Sequence, residues 1–150
     1  MRAVVDPNVL ISALLTRDGA PARVLRAWLG GTFELIVSPM LLDELRRALG
    51  YPQLRKRIAE TEADGFLAVL EHSAVAVEDS SAPPPIRSSD PGDDYLLALA
   101  AGQQAALVSG DGHLLSLRDG DLPIYSATEF LERLRGPLET ARVSPPGSHQ

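Results

Sequence analysis

Four carboxylates in this 150-residue chain stand where a hydrophobic fold gains nothing from charge. Asp6 closes the apolar run in Ala3-Val4-Val5-Asp6-Pro7-Asn8, and Asp111 follows Ala106-Leu107-Val108-Ser109 in a Ser-Gly-Asp-Gly turn. Asp94 opens a segment made almost wholly of Leu and Ala, and Glu44 lies at the edge of an apolar helical stripe. Strand ends and helix starts of an α/β chain converge on one edge of the sheet, where such folds bind ligands. Carboxylates gathered there repel one another unless a cation neutralises them. The chemistry this predicts is a hard divalent cation, Mg²⁺ or Mn²⁺, held by oxygen ligands.

Each acid also has a structural use to be weighed against this one. Asp6 can cap the helix that follows it, but Asn8 can do so as well, which leaves Asp6 for the site with Asn8 in support. At 100° per residue, Leu41, Leu42, Leu45, Ala48 and Leu49 face the core, while Asp43, Arg46 and Arg47 face outward, with Asp43–Arg47 an i,i+4 pair. Glu44 falls between the two faces, and Arg47 is its competing partner. In Asp90-Pro91-Gly92-Asp93-Asp94-Tyr95, Asp90 fits a helix N-cap and Asp93 the reciprocal capping position. Asp94 shares its face with Leu97, Ala98 and Ala101, so it is the acid expected in the site. Asp111 can be a turn residue or cap, with Ser109 as a supporting hydroxyl; His113 is read as facing solvent.

The elements that must position these acids alternate between strand and helix, the pattern of a mostly parallel sheet covered on both faces. Strands are expected at about 2–6, 33–37, 75–77, 106–109 and 123–126. Helices are expected at about 8–15, 21–29, 39–49, 53–58, 61–72, 91–103, 112–117 and 127–135. Thr61 with Asp64, and Ser126 with Glu129, are spaced as capping boxes. The prediction is a three-layer α/β/α domain with about five strands over residues 1–135, without internal repeats. Residues 136–150, with Pro137, Pro145, Pro146 and Gly147, read as a flexible C-terminal tail.

Composition narrows the function. No apolar run is long enough to span a membrane, no signal peptide is evident, and cysteine is absent, all of which suit the cytoplasm. The net charge is −6, but residues 1–60 carry nine Lys or Arg against six acids, while residues 61–135 carry four against thirteen. A basic first half beside an acidic site suits a phosphodiester backbone, with Arg17, Arg23, Arg26, Arg46 and Arg47 as candidate phosphate contacts; solvated helix faces are their alternative. Lys56 is the only lysine, and there is no Gly-x-x-x-x-Gly-Lys cradle, Gly-x-Ser-x-Gly elbow or Gly-x-Gly-x-x-Gly loop.

The order and spacing of Val4-Val5-Asp6-Pro7-Asn8, Glu44 after Ser38-Pro39, Asp93-Asp94-Tyr95-Leu96-Leu97-Ala98 and Val108-Ser109-Gly110-Asp111 resemble the PIN-domain family. The likeness runs nearly end to end, to Tyr125-Ser126-Ala127-Thr128-Glu129-Phe130, and is nearest to the toxin components of bacterial toxin–antitoxin pairs. It implies a metal-dependent endoribonuclease, with Asp6 and Asp94 as principal ligands and Glu44 and Asp111 binding a second ion or activating water. It also implies an RNA substrate, a cognate antitoxin and a homodimer. One departure stands out. Pro7 occupies a place where the family carries a hydroxyl residue, which keeps open a module that binds RNA or protein without cutting. A small metal-dependent phosphatase is a further alternative.

Overall fold

The computed structural model describes residues 1–88, 90–118 and 120–143, of which 137–143 are described as backbone alone. Strand β1 (Arg2–Val5) is buried along almost its whole length, as the central strand of a sheet covered on both faces must be. It pairs in parallel with β2 (Glu34–Val37) on one side and β4 (Ala106–Val108) on the other. Strands β3 (Val75–Ala76) and β5 (Ile124–Tyr125) complete a five-stranded, all-parallel sheet of order β3-β2-β1-β4-β5. The chain steps outward from β1 to β3, then returns to add β4 and β5 on the opposite side. The carboxyl ends of β1 and β4 therefore flank the point where strand order reverses, the usual ligand position in such sheets. The register Val5↔Val108 sets Asp6 beside Ser109, and the Asp6 N–H donates to the Val108 carbonyl at 2.9 Å.

Helices α1 (Pro7–Leu15) and α2 (Ala20–Leu29) pack on each other; α1 also meets α3 (Pro39–Leu49). Short α4 (Pro52–Arg55) and longer α5 (Glu60–Ser73) lean on α3. After a 3₁₀ turn (Pro91–Asp93), α6 (Asp94–Gly102) lies across β1 and β4. Helix α7 (Gly112–Leu115) follows β4, and α8 (Ala127–Val143) packs on α2 and β5. By the right-handed crossover rule, this strand order assigns α1 to α3 to one face and α6 and α7 to the other. The core is Leu-rich, with Leu35, Ile36, Leu41, Leu45, Leu97 and Leu107 fully buried. Phe130 meets Phe33 edge-on, with ring centroids 4.9 Å apart, and pins α8 under the sheet.

The expected elements are present, several with ends shifted by a residue or two. Helix α5 starts at Glu60 with Ala59 as an uncapped N-cap, so the Thr61–Asp64 capping box does not form. Glu60 and Glu62 in its first turn suit the helix dipole instead. The Ser126–Glu129 box does form: the Ser126 N–H donates to Glu129 at 2.9 Å and the Glu129 N–H to Ser126 Oγ at 3.1 Å. Helix α8 breaks near the expected end, at Gly136, whose φ of +45° favours glycine. Helical backbone then resumes to Val143, where a tail was expected; residues 144–150 lie outside the described residues.

Candidate metal centre at the carboxyl edge of the sheet

Asp6 is buried, only 2% exposed, at the end of β1. Its Oδ1 accepts the Asn8 N–H at 3.0 Å, so Asp6 itself caps α1, and the Asn8 side chain is left exposed. Pro7 fills the first helical position, where an amide would have no helical partner, so proline costs the helix nothing there. The other carboxylate oxygen of Asp6 accepts from the hydroxyl of fully buried Ser109 at 2.9 Å. Burial pushes the Asp6 carboxyl above its ordinary range, the charges of Glu44 and Asp111 push the same way, and the Asn8 and Ser109 donors pull back.

Asp111 repeats the arrangement one strand over. It caps α7 by accepting the His113 N–H at 2.8 Å, and its own N–H donates to Ser109 Oγ at 3.0 Å. Ser109 thus links the two acids, donating to one side chain and accepting from the backbone of the other. Ser109→Ala is expected to leave a buried Asp6 oxygen without its donor, costing about 1–3 kcal/mol of stability. Loss of this support is also expected to weaken Mn²⁺ binding by roughly 10–100-fold. Thermal melts and calorimetric Mn²⁺ titration check the two effects separately.

The acid of this segment that faces Asp111 and Asp6 is Asp93, where Asp94 was expected. Asp93 closes the 3₁₀ turn, and its carboxyl lies within the electrostatic reach of Asp111 and Asp6. Desolvation first, then Asp111, Asp6 and Asp90, push the Asp93 carboxyl up to about 7. Its Oδ2 is buried with no hydrogen-bond partner among the described residues. Asp94 is engaged elsewhere: its Oδ1 accepts the Ser88 N–H at 2.8 Å, and its Oδ2 lies 3.6 Å from the Arg87 guanidinium. It braces the preceding segment onto α6. The physical reason for the exchange is the 3₁₀ turn, whose three residues per turn advance each side chain faster than the α-helical count from Pro91 assumes.

Glu44 stands half-buried on α3, as its place between two faces suggests. Its partner is Tyr95, whose hydroxyl donates to Glu44 Oε1 at 2.5 Å, and not Arg47. Burial and this bond hold the Tyr95 hydroxyl well above its ordinary pKa. Sequence reasoning passed over Tyr95; its signal was a phenol in the first turn of α6, directly after two acids. Asp79 was also passed over. It closes the start of α3, accepting from Ser38 Oγ at 2.6 Å and from the Met40 N–H at 2.9 Å.

The candidate phosphate contacts fare unevenly. Arg46 is engaged by Asp43 at 3.4 Å and Glu71 at 3.0 Å, in place of the expected Asp43–Arg47 pair. Arg17, Arg23, Arg26 and Arg47 are exposed, and the Arg26 guanidinium donates to the Arg17 carbonyl. A cleft of about 330 Å³, lined by Asn8, Ser12, Pro21, Gly110 and Asp111 among others, opens beside the acids. Two roomier clefts, of about 430 and 460 Å³, contain none of the four acids, so size does not mark the site.

Among the described residues, no three His, Asp or Glu side chains stand close enough to ligate one ion as placed. The donor set nonetheless fits a hard divalent cation: oxygen ligands only, crowded by like charge, with one buried carboxylate oxygen left unpartnered. Asp6, Glu44, Asp93 and Asp111 are the residues that would hold it.

A parallel α/β sheet with acids near its reversal point defines a doubly wound domain with a candidate cation site. The chain belongs to the PIN-domain family, whose profile, described as PIN domain, matches residues 2–113. PIN domains are generally nucleases that use divalent ions. The chain is 28% identical over 142 residues to an uncharacterised protein of Methanocaldococcus jannaschii, covering 88% of this chain and 90% of that protein. In fold it is similar to a chain of VapBC2 from Rickettsia felis, solved bound to a DNA fragment from its promoter. That match has a TM-score of 0.57 and 14% identity, and it covers 84% of this chain and 98% of the other.

Proposed function

We propose that this protein is a metal-dependent endoribonuclease and the toxin of a toxin–antitoxin pair, acting in the cytoplasm over residues 1–135. What supports the reading is the crowding of like charge, Asp6 feeling Glu44 and Asp111 and Asp93 feeling Asp111 and Asp6, together with a buried Asp93 Oδ2 that has no partner among the described residues. A divalent cation bound there, Mg²⁺ or Mn²⁺, would supply charge to a phosphodiester and lower the pKa of an attacking water. Asp6 is the fixed member, held by Asn8 and Ser109. Asp93 and Asp111 share the mouth of the site, and Glu44 approaches from α3. The reading needs no nucleophilic side chain, since water is the attacking group. Arg17, Arg23, Arg26 and Arg47 are exposed and able to meet phosphates. Likeness to the VapBC2 fold supports an antitoxin partner, and resemblance to the toxin branch a homodimer.

The second reading, a PIN module that binds RNA without cutting, rests on Pro7. Against it, the Ser109 hydroxyl reaches Asp6 Oδ2 and supplies a donor of the kind a residue-7 hydroxyl would offer. The test is incubation of antitoxin-free protein with varied RNAs in Mn²⁺, Mg²⁺ or EDTA. Cleavage that needs the ion is expected. Protein that binds RNA but cuts none of it with any metal would favour the binding module instead.

A further inference from the structure

We propose that Tyr95 is a positioning residue, whose hydroxyl fixes the Glu44 carboxylate across the α3–α6 gap so that one oxygen is committed and the other is presented to the ion. This rests on the metal-dependent reading of the site and deepens it. Glu44 is the one site acid carried on a long, many-rotamer side chain, and its carboxylate caps no helix or turn. The Asp6 and Asp111 carboxylates are fixed by the amides of the helices they cap, and Asp93 is a short side chain on the 3₁₀ turn. Among the described residues Glu44 has no such backbone anchor; what holds it is the 2.5 Å bond from Tyr95.

Tyr95 suits the task. Its ring packs half-buried against the hydrophobic core between Asp94 and fully buried Leu96, and it has only two side-chain torsions to hold. A phenol has a single proton to give, and it goes to Glu44 Oε1. Groups that orient a metal ligand in this way typically carry roughly 10–100-fold of metal affinity. The plainer reading is a half-buried hydroxyl satisfied by the nearest acceptor. The two readings part on Tyr95→Phe, which keeps the ring and removes only the donor. A merely structural hydroxyl would change the melting temperature and leave Mn²⁺ affinity alone.

The experiment is calorimetric Mn²⁺ titration of wild type, Tyr95→Phe, Glu44→Ala and the double variant, with melts recorded in EDTA. A 10-fold or greater loss of affinity in Tyr95→Phe is expected, with no further loss when the change is made on Glu44→Ala, because residues acting through one another are not additive. Affinity within twofold of wild type, or an equal further loss on Glu44→Ala, overturns the assignment. Should Tyr95→Phe melt too early at the working temperature, it is titrated beside wild type below its own melting temperature, and the same thresholds decide. Wild type that binds no Mn²⁺ removes the metal centre itself, an outcome distinct from a selective failure of Tyr95.

Discussion

Asp93→Asn is expected to lower metal-dependent RNA cleavage on the order of 10³-fold, and Asp94→Asn by no more than about tenfold. The first figure follows from the several kcal/mol of transition-state charge stabilisation that a bound ion supplies, at 1.36 kcal/mol for each factor of ten. Asparagine at 93 keeps the shape of the side chain but removes the charge that faces Asp6 and Asp111. Asparagine at 94 can still accept from the Ser88 N–H. It gives up only the Arg87 pair, whose guanidinium is 70% exposed, and exposed pairs contribute about 0–1 kcal/mol. Single-turnover cleavage rates in saturating Mn²⁺ decide it. Equal losses at the two positions, or a larger one at Asp94, would overturn the choice of Asp93 over Asp94 as the site acid of this segment.

The same crowding gives the ion-free protein an unusual pH response. Asp93 sits at about 7 in the fold against an ordinary 3.8, and Asp6 is raised as well. A carboxyl raised by folding contributes stability that is complete below its unfolded pKa and is lost as pH climbs through the folded one. In EDTA this contribution to the melting temperature should therefore be lost between about pH 4 and pH 7. Mn²⁺ should restore it at pH 8: at 100 times its Kd, a ligand adds about 2.7 kcal/mol. For a chain of this size that is a rise of roughly 5–10 °C. At pH 5 protons compete for the same oxygens and the rise should shrink. Asp93→Asn should flatten the EDTA profile and remove most of the Mn²⁺ effect. A flat wild-type profile, or a Mn²⁺ shift unaltered in the variant, would contradict the crowding described for this edge.

Much of this was legible in the chain before its fold was known. The apolar strand ending in Asp6, the Ser38-Pro39 helix start and the Ser126–Glu129 box are local signals, and each formed as read. Asp6, Glu44 and Asp111 stood out because charge beside apolar runs needs a reason. Which of Asp93 and Asp94 faces Asp111 was not legible, because a residue count cannot tell a 3₁₀ turn from the first turn of an α-helix, and one residue of slip turns a carboxylate to a different face. Tyr95 and Asp79 escaped for another reason. Their partners lie 51 and 41 positions away, across elements that only the packed fold brings together. The Thr61 cap failed because a capping-box spacing one residue inside a helix reads the same as one at its start.

Asp6 and Asp111 are helix caps as much as site acids, and asparagine caps a helix about as well as aspartate. Loss of chemistry and loss of architecture are therefore separate hereditary events in this domain. A copy silenced at either cap keeps its sheet, its helices and its surface. Under the proposed function, a silent copy would compete with its active sibling for the same partner, changing the dose of activity without changing the number of folded molecules.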